Sequence, residues 1–144
     1  MELKPYLHNA KYYETDQMAI VHHSNYIRWF EEARVDWMQQ VGVPLTAIEA
    51  RGIVIPVVSV SAKYKTMVRF GEDVAIRTQL TKYNGVRFLF HYEIRDVATG
   101  VLRTTGESEH CLMDDQGRIV NLKRRDPALH ALFLRLVETP TDGQ

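Results

Sequence analysis

The chain has 144 residues, with 18 basic and 18 acidic side chains and no net formal charge. That length holds one domain with a real core, and the charge balance argues against a nucleic-acid or anionic-membrane partner. Cys111 is the single cysteine, which excludes an internal disulfide and fits a reducing compartment. No stretch approaches the roughly 20 apolar residues of a membrane span, and the opening MELKPYLHNAKYY lacks the apolar core of a signal peptide. The expectation is a cytoplasmic protein.

In chain order, residues 3–13 read as a short edge strand, with Pro5 near its start where proline is tolerated. Residues 12–41, YYETDQMAIVHHSNYIRWFEEARVDWMQQV, organise the rest. Their first half is a polar, acidic connection ending in two histidines. Their second half is an unusually apolar helix. Tyr26, Phe30, Ala33, Trp37 and Val41 keep to one helical face, and Ile27, Trp29 and Met38 widen it. Arg28, Glu32, Val35, Asp36 and Gln39 form the mostly polar strip. A helix this apolar must be largely wrapped by other structure. Ser24 or Asn25 is expected to cap it, and Asp16 lies a few residues before its start. A carboxylate and a helix N-terminus, which favours negative charge, are thereby brought together. Gly42 and Pro44 end the helix, and residues 45–51 suggest a short second one stopped by Gly52.

From Ile53 the period changes to two. Val58, Val60, Ala62 and Tyr64 share one face; after a turn at residues 70–73, so do Val74, Ile76, Thr78 and Leu80. Asn84-Gly85 is the strongest hairpin signal in the chain. Phe88, Phe90, Tyr92 and Ile94 follow in alternation, then a turn at residues 98–100 and a weaker alternation through Thr104, Gly106, Ser108, His110 and Leu112. Asp126 caps a final helix with Pro127 in its first turn. The expected architecture is α+β: a meander of about four antiparallel strands curled around the one apolar helix, rather than a helix laid flat across a sheet. Residues 1–138 form one domain, and residues 139–144 a fraying tail.

At this point the residues resemble a known family. Tyr13-Glu14-Thr15-Asp16, then Gln17-Met18-Ala19, Ile20-Val21, His22-His23 and Ser24-Asn25-Tyr26, followed by Phe30-Glu31-Glu32-Ala33-Arg34, are similar to the signature of the hotdog-fold thioesterases of the 4-hydroxybenzoyl-CoA thioesterase type. Tyr64 and the turn at residues 70–73 also fit, and the likeness runs over roughly residues 4–138. It implies a hotdog fold and hydrolysis of an acyl-CoA thioester to a free acid and coenzyme A, with no metal or redox cofactor. It also implies a homodimer or homotetramer whose active site lies at the subunit interface. Two departures stand out: Ala19 replaces the family's usual glycine, and His22 its usual aromatic residue.

The resemblance gives Asp16 the catalytic role, as nucleophile on the thioester carbonyl or as the base that activates water. It gives the backbone N–H of His23 a place facing the thioester oxygen, backed by the helix dipole. The plain alternatives are a polar loop residue for Asp16 and a merely polar histidine for His23. A metal at Glu14, Asp16, His22 and His23 is disfavoured, because adjacent residues of an extended segment point apart and no His/Cys ligand spacing is present. Glu31 and Arg34 are expected to pair along the helix. Lys82 and Arg87 flank the hairpin as surface charges able to meet phosphate, and Cys111 fits a small core residue. The alternative from another class is a non-catalytic acyl-CoA or acyl-carrier-protein binding protein on the same fold, which the Ala19 change keeps open. A dehydratase or another hotdog enzyme would be expected to carry its usual acid–histidine pairing, which the sequence does not suggest.

Overall fold

The computed structural model describes residues 3–140. Strand β1 (Tyr6–Asn9) and a 3₁₀ turn (Tyr12–Glu14) lead to the long helix α1 (Ser24–Gln40) and the short helix α2 (Leu45–Glu49). Strands β2 (Ile53–Val54), β3 (Val57–Tyr64), β4 (Asp73–Tyr83), β5 (Arg87–Asp96), β6 (Leu102–Cys111) and β7 (Met113–Asp114) follow. Helices α3 (Leu122–Arg125) and α4 (Pro127–Leu136) come last. The main sheet has five strands in the order β1-β4-β5-β6-β3, and β2 pairs separately with β7. Each neighbouring pair in the main sheet is antiparallel.

The helix packs on one face of this sheet, against β1, β3 and β4. Tyr26, Phe30, Ala33, Trp37 and Val41 are all buried, as their spacing requires, together with Trp29 and Met38. Ile27 departs from the expectation: it stands on the outer side of α1, 41% exposed. From the sheet, Val74, Ile76 and Leu80 of β4 and Phe88, Phe90, Tyr92 and Ile94 of β5 meet the helix in one core. Full burial of each large side chain stabilises the fold by about 1.5–3 kcal/mol. Asn84-Gly85 turns the chain between β4 and β5; Gly85 has φ +94° and the Asn84 Oδ1 accepts from the Val86 and Arg87 amides.

The expected meander holds only for β4, β5 and β6. Strand β3 pairs with β6, not with β4, its successor in the chain. The connection from β3 to β4 therefore passes from one edge of the sheet to the strand next to the opposite edge. Near the C-terminus, the Glu138 amide donates to the Leu80 carbonyl and Gln79 Nε2 donates to the Thr139 carbonyl. Residues 141–144 of the expected tail lie outside the described residues.

The Phe30 ring of α1 lies directly over Gly106 of β6. A Cβ there would lie 2.4 Å from the Phe30 ring and 2.9 Å from the Ser61 carbonyl oxygen. Phe30 is itself fixed by stacking on Tyr92, with ring centroids 4.5 Å apart. Gly106→Ala is therefore expected to destabilise the protein by about 1–3 kcal/mol through overpacking. The check is the urea midpoint at constant slope; an unchanged midpoint would mean that Phe30 swings aside freely.

Candidate active site

The site is built where β1, the loop of residues 15–21 and the first turn of α1 converge. The loop closes as a small antiparallel bridge between Thr15 and Val21, with the Asp16 amide donating to the Ile20 carbonyl at 2.9 Å. Asp16 is exposed at this loop. Its Oδ1 accepts from the Met18 amide at 2.8 Å, and its other carboxylate oxygen has no partner among the described residues. The connection between β3 and β4 braces the loop from outside: the Val21 amide donates to the Val68 carbonyl, and Ile20 bridges Arg69.

Ala19 sits in the same loop with φ +60°, the only non-glycine residue with positive φ among those described. The left-handed region costs an L-residue roughly 1–2 kcal/mol. Ala19 thus holds a conformation that glycine adopts freely, at the expense of local strain.

His23 occupies the cap position of α1. The expected side-chain caps are absent. Instead the His22 ring accepts from the Ser24 amide through Nδ1 at 3.2 Å, and Asn25 Nδ2 donates to the Glu14 carbonyl at 2.8 Å. The chain is already turning into the helix here, so the two histidine rings lie side by side, centroids 4.2 Å apart, rather than on opposite sides as expected. The His23 amide has no acceptor among the described residues, while its carbonyl accepts from the Tyr64 hydroxyl at 3.3 Å. An open carboxylate oxygen and an open amide at a helix N-terminus thus sit on consecutive parts of one short segment.

Glu14 has a structural place that sequence reasoning missed. It is 6% exposed. Its Oε2 accepts from Trp29 Nε1 at 2.6 Å; its Oε1 accepts from the Lys11 amide at 2.9 Å and lies 2.9 Å from His8 Nε2. Burial pushes its pKa up, but the Lys11 amide, His8 and Trp29 together outweigh that and hold the carboxyl below its ordinary value. The resulting stability is present above the unfolded value of about 4.5 and is lost as pH falls through the lowered folded value. The only signal in the sequence was a carboxylate beside an aromatic-rich helix, which by itself names no partner.

The remaining candidates resolve simply. Arg34 does not pair with Glu31; its Nη1 donates to the Tyr92 hydroxyl at 3.2 Å. Arg87 pairs with Glu109 at 2.7 Å across the β5–β6 ladder, and Lys82 lines the same shallow cleft. Cys111 is a buried core thiol. Among the described residues no group of three or more His, Cys, Asp and Glu side chains is arranged to hold a metal ion, and no helix is long and apolar enough to cross a membrane. A cavity of about 680 Å³ between residues 3–6, the C-terminal half of α1 and β4 includes neither Asp16 nor His23.

Residues 11–142 match the thioesterase-like superfamily. The chain belongs to that family. Among its relatives is YneP of Bacillus subtilis, named a candidate acyl-CoA thioesterase, at 31% identity over 86% of this chain and 90% of YneP. A 1,4-dihydroxy-2-naphthoyl-CoA hydrolase of Synechococcus is 28% identical over 66% of this chain and 70% of its own. The solved DHNA-CoA thioesterase of Staphylococcus aureus superposes with a TM-score of 0.87 at 32% identity, covering 92% of this chain and 89% of that one. The hotdog architecture read from the sequence is the one this family member has.

The strain at Ala19 gives a direct test of the loop. Ala19→Gly relieves roughly 1–2 kcal/mol of left-handed strain and loses about 0.4–1 kcal/mol through the freer unfolded chain. The net expectation is a melting temperature raised by a few degrees. A lower melting temperature would show that the Ala19 methyl makes a stabilising contact larger than the strain.

Proposed function

We infer that this chain is an acyl-CoA thioesterase that hydrolyses its substrate to a carboxylic acid and coenzyme A. The observation that carries the reading is the family match over residues 11–142, with an exposed carboxylate and a helix N-terminus set together inside it. In this reading the free oxygen of Asp16 attacks the thioester carbonyl carbon, or takes a proton from a water that does so. The carbonyl oxygen gains negative charge, which the open His23 amide and the positive end of α1 stabilise. The C–S bond then breaks, and the sulfur leaves as the coenzyme A thiolate. Attack by water, directly or on an acyl–Asp16 anhydride, completes the balance. No metal or redox cofactor enters these steps.

One chain supplies only half of such a site, and β3 supports a second copy. It is an edge strand of eight residues, with Val57 54%, Val58 46% and Val60 37% exposed. An apolar edge of this length must be covered. Pairing of β3 with β3 of a second copy joins the two sheets into a homodimer, and two dimers make a tetramer. The single buried cysteine and the absence of a membrane-length helix among the described residues support a cytoplasmic setting. The naphthoyl-CoA substrates of two relatives, and the exposed Tyr12, Tyr13 and Phe70 near the loop, favour an aromatic acyl group. Ala19 holds a left-handed conformation that glycine would take freely, which supports the thioesterase reading over the binding-protein alternative.

Free thiol release should be followed with acyl-CoAs from acetyl to palmitoyl, with benzoyl, phenylacetyl and 1,4-dihydroxy-2-naphthoyl-CoA beside them. Turnover is expected, fastest with an aromatic acyl group, and lost in a folded Asp16→Ala protein. His23→Ala should remain active, because the backbone amide survives it. Activity retained in Asp16→Ala with a normal melting curve would sink the assignment; binding of acyl-CoA without release would establish the binding protein instead.

The edge strand gives a separate expectation. Val58→Lys with Val60→Lys should yield a monomer by sedimentation, with turnover reduced in parallel. An intact dimer in that double variant would place the interface elsewhere.

A further inference from the structure

We propose that Glu14, held by His8 and Trp29, is a positioning residue that sets the geometry between Asp16 and the N-terminus of α1. The proposal rests on the reading of Asp16 given above. Glu14 does not face substrate, since it is 6% exposed and its carboxylate oxygens are occupied by Trp29, Lys11 and His8. Its contacts nevertheless reach every part of the site. Through its side chain it ties β1, the 3₁₀ turn and the second turn of α1. Through its carbonyl it accepts from the His22 amide at 2.9 Å, one residue before His23, and from Asn25 in the first helical turn. The next residue, Thr15, forms the base of the loop that carries Asp16. One residue therefore fixes both ends of the segment on which the carboxylate and the open amide lie.

The supporting contacts form an extended network. The His8 ring packs at a tilt against Trp29 at a centroid distance of 4.7 Å, and its Nδ1 lies 3.6 Å from Glu32, whose carboxylate also accepts from the Tyr6 hydroxyl. A buried carboxylate with several donors has one low-energy position, because each displaced donor would be left unpaired. That is the property a positioning group needs. Misplacing reacting groups by about 1 Å can lower turnover on the order of 100-fold.

The test compares Glu14→Gln, His8→Gln and His8→Leu, with Asp16→Ala beside them, well below their melting temperatures. Glu14→Gln is expected to lower kcat about 10- to 100-fold with KM little changed. His8→Gln keeps a donor to Glu14 and should stay close to wild type, whereas His8→Leu should fall in the same direction as Glu14→Gln. A folded Glu14→Gln protein with wild-type kcat would overturn the proposal. If Glu14→Gln does not fold, equal kcat in the two His8 variants overturns it. If Asp16→Ala itself remains active, the reading of Asp16 fails separately; positioning is then decided by amide exchange at Asp16 and Met18, which Glu14→Gln or His8→Leu must accelerate.

Discussion

The Glu14 carboxylate is the interaction on which the site depends. A charged group buried this deeply is tolerated only when its oxygens are satisfied, and here three separate segments supply the partners. The requirement runs both ways. Trp29 is fully buried in the middle of the core, so its indole N–H needs an acceptor there, and Glu14 is the acceptor it has. The apolar helix and the polar loop are thus fastened to each other by a bond that neither can form with water. The helix N-terminus is placed by the same residue through its carbonyl, without the side-chain cap that an isolated helix would use.

A second buried polar chain runs beneath α1. Arg34 donates to Tyr92, Tyr92 meets Ser108 at 2.6 Å, and Ser108 meets His110 Nε2 at 2.7 Å. Burial, reinforced by the Arg34 charge, lowers the His110 pKa to about 4. The carbonyls of Ile55 and Pro56 oppose that shift weakly, and Nδ1 makes no hydrogen bond of good geometry. His110 is therefore neutral at physiological pH. The chain aligns the central strands under the helix and stays clear of the loop, so it belongs to the scaffold.

What was legible in the sequence was whatever local periodicity encodes. The apolar face of α1, the alternation of β4 and β5, the Asn84-Gly85 turn and the Asp126 cap, which accepts from the Leu129 amide, are all decided within a few residues. The pairing of β3 with β6 was not legible, because alternation names a face and not a neighbour. The cap of α1 was misread for a related reason: the Asn25 side chain is drawn to the Glu14 carbonyl, and the neighbouring His22 ring, not Ser24 or Asn25, accepts from a helix amide. The Arg34–Glu31 pair failed likewise, since the helix presents Arg34 to the sheet and a tyrosine hydroxyl is waiting there. Ala19 showed its meaning only as a backbone angle. The closeness of Asp16 to the helix start at His23 follows from a motif whose spacing is local; the contacts of Glu14 beside them reach residues up to fifteen positions away in the chain.

The connection between β3 and β4 also bears on the order in which the molecule assembles. Hairpins β4–β5 and β5–β6 close over short loops and can form early, whereas β3 must find β6 across the whole intervening meander. Val68 and Arg69, which brace the Asp16 loop, lie between those late and early partners. The loop gains its outer support only when the last strand has been captured. A chain caught partway, with its hairpins made and its helix docked, would look largely folded by its secondary structure while the Asp16 loop still lacked that outer support.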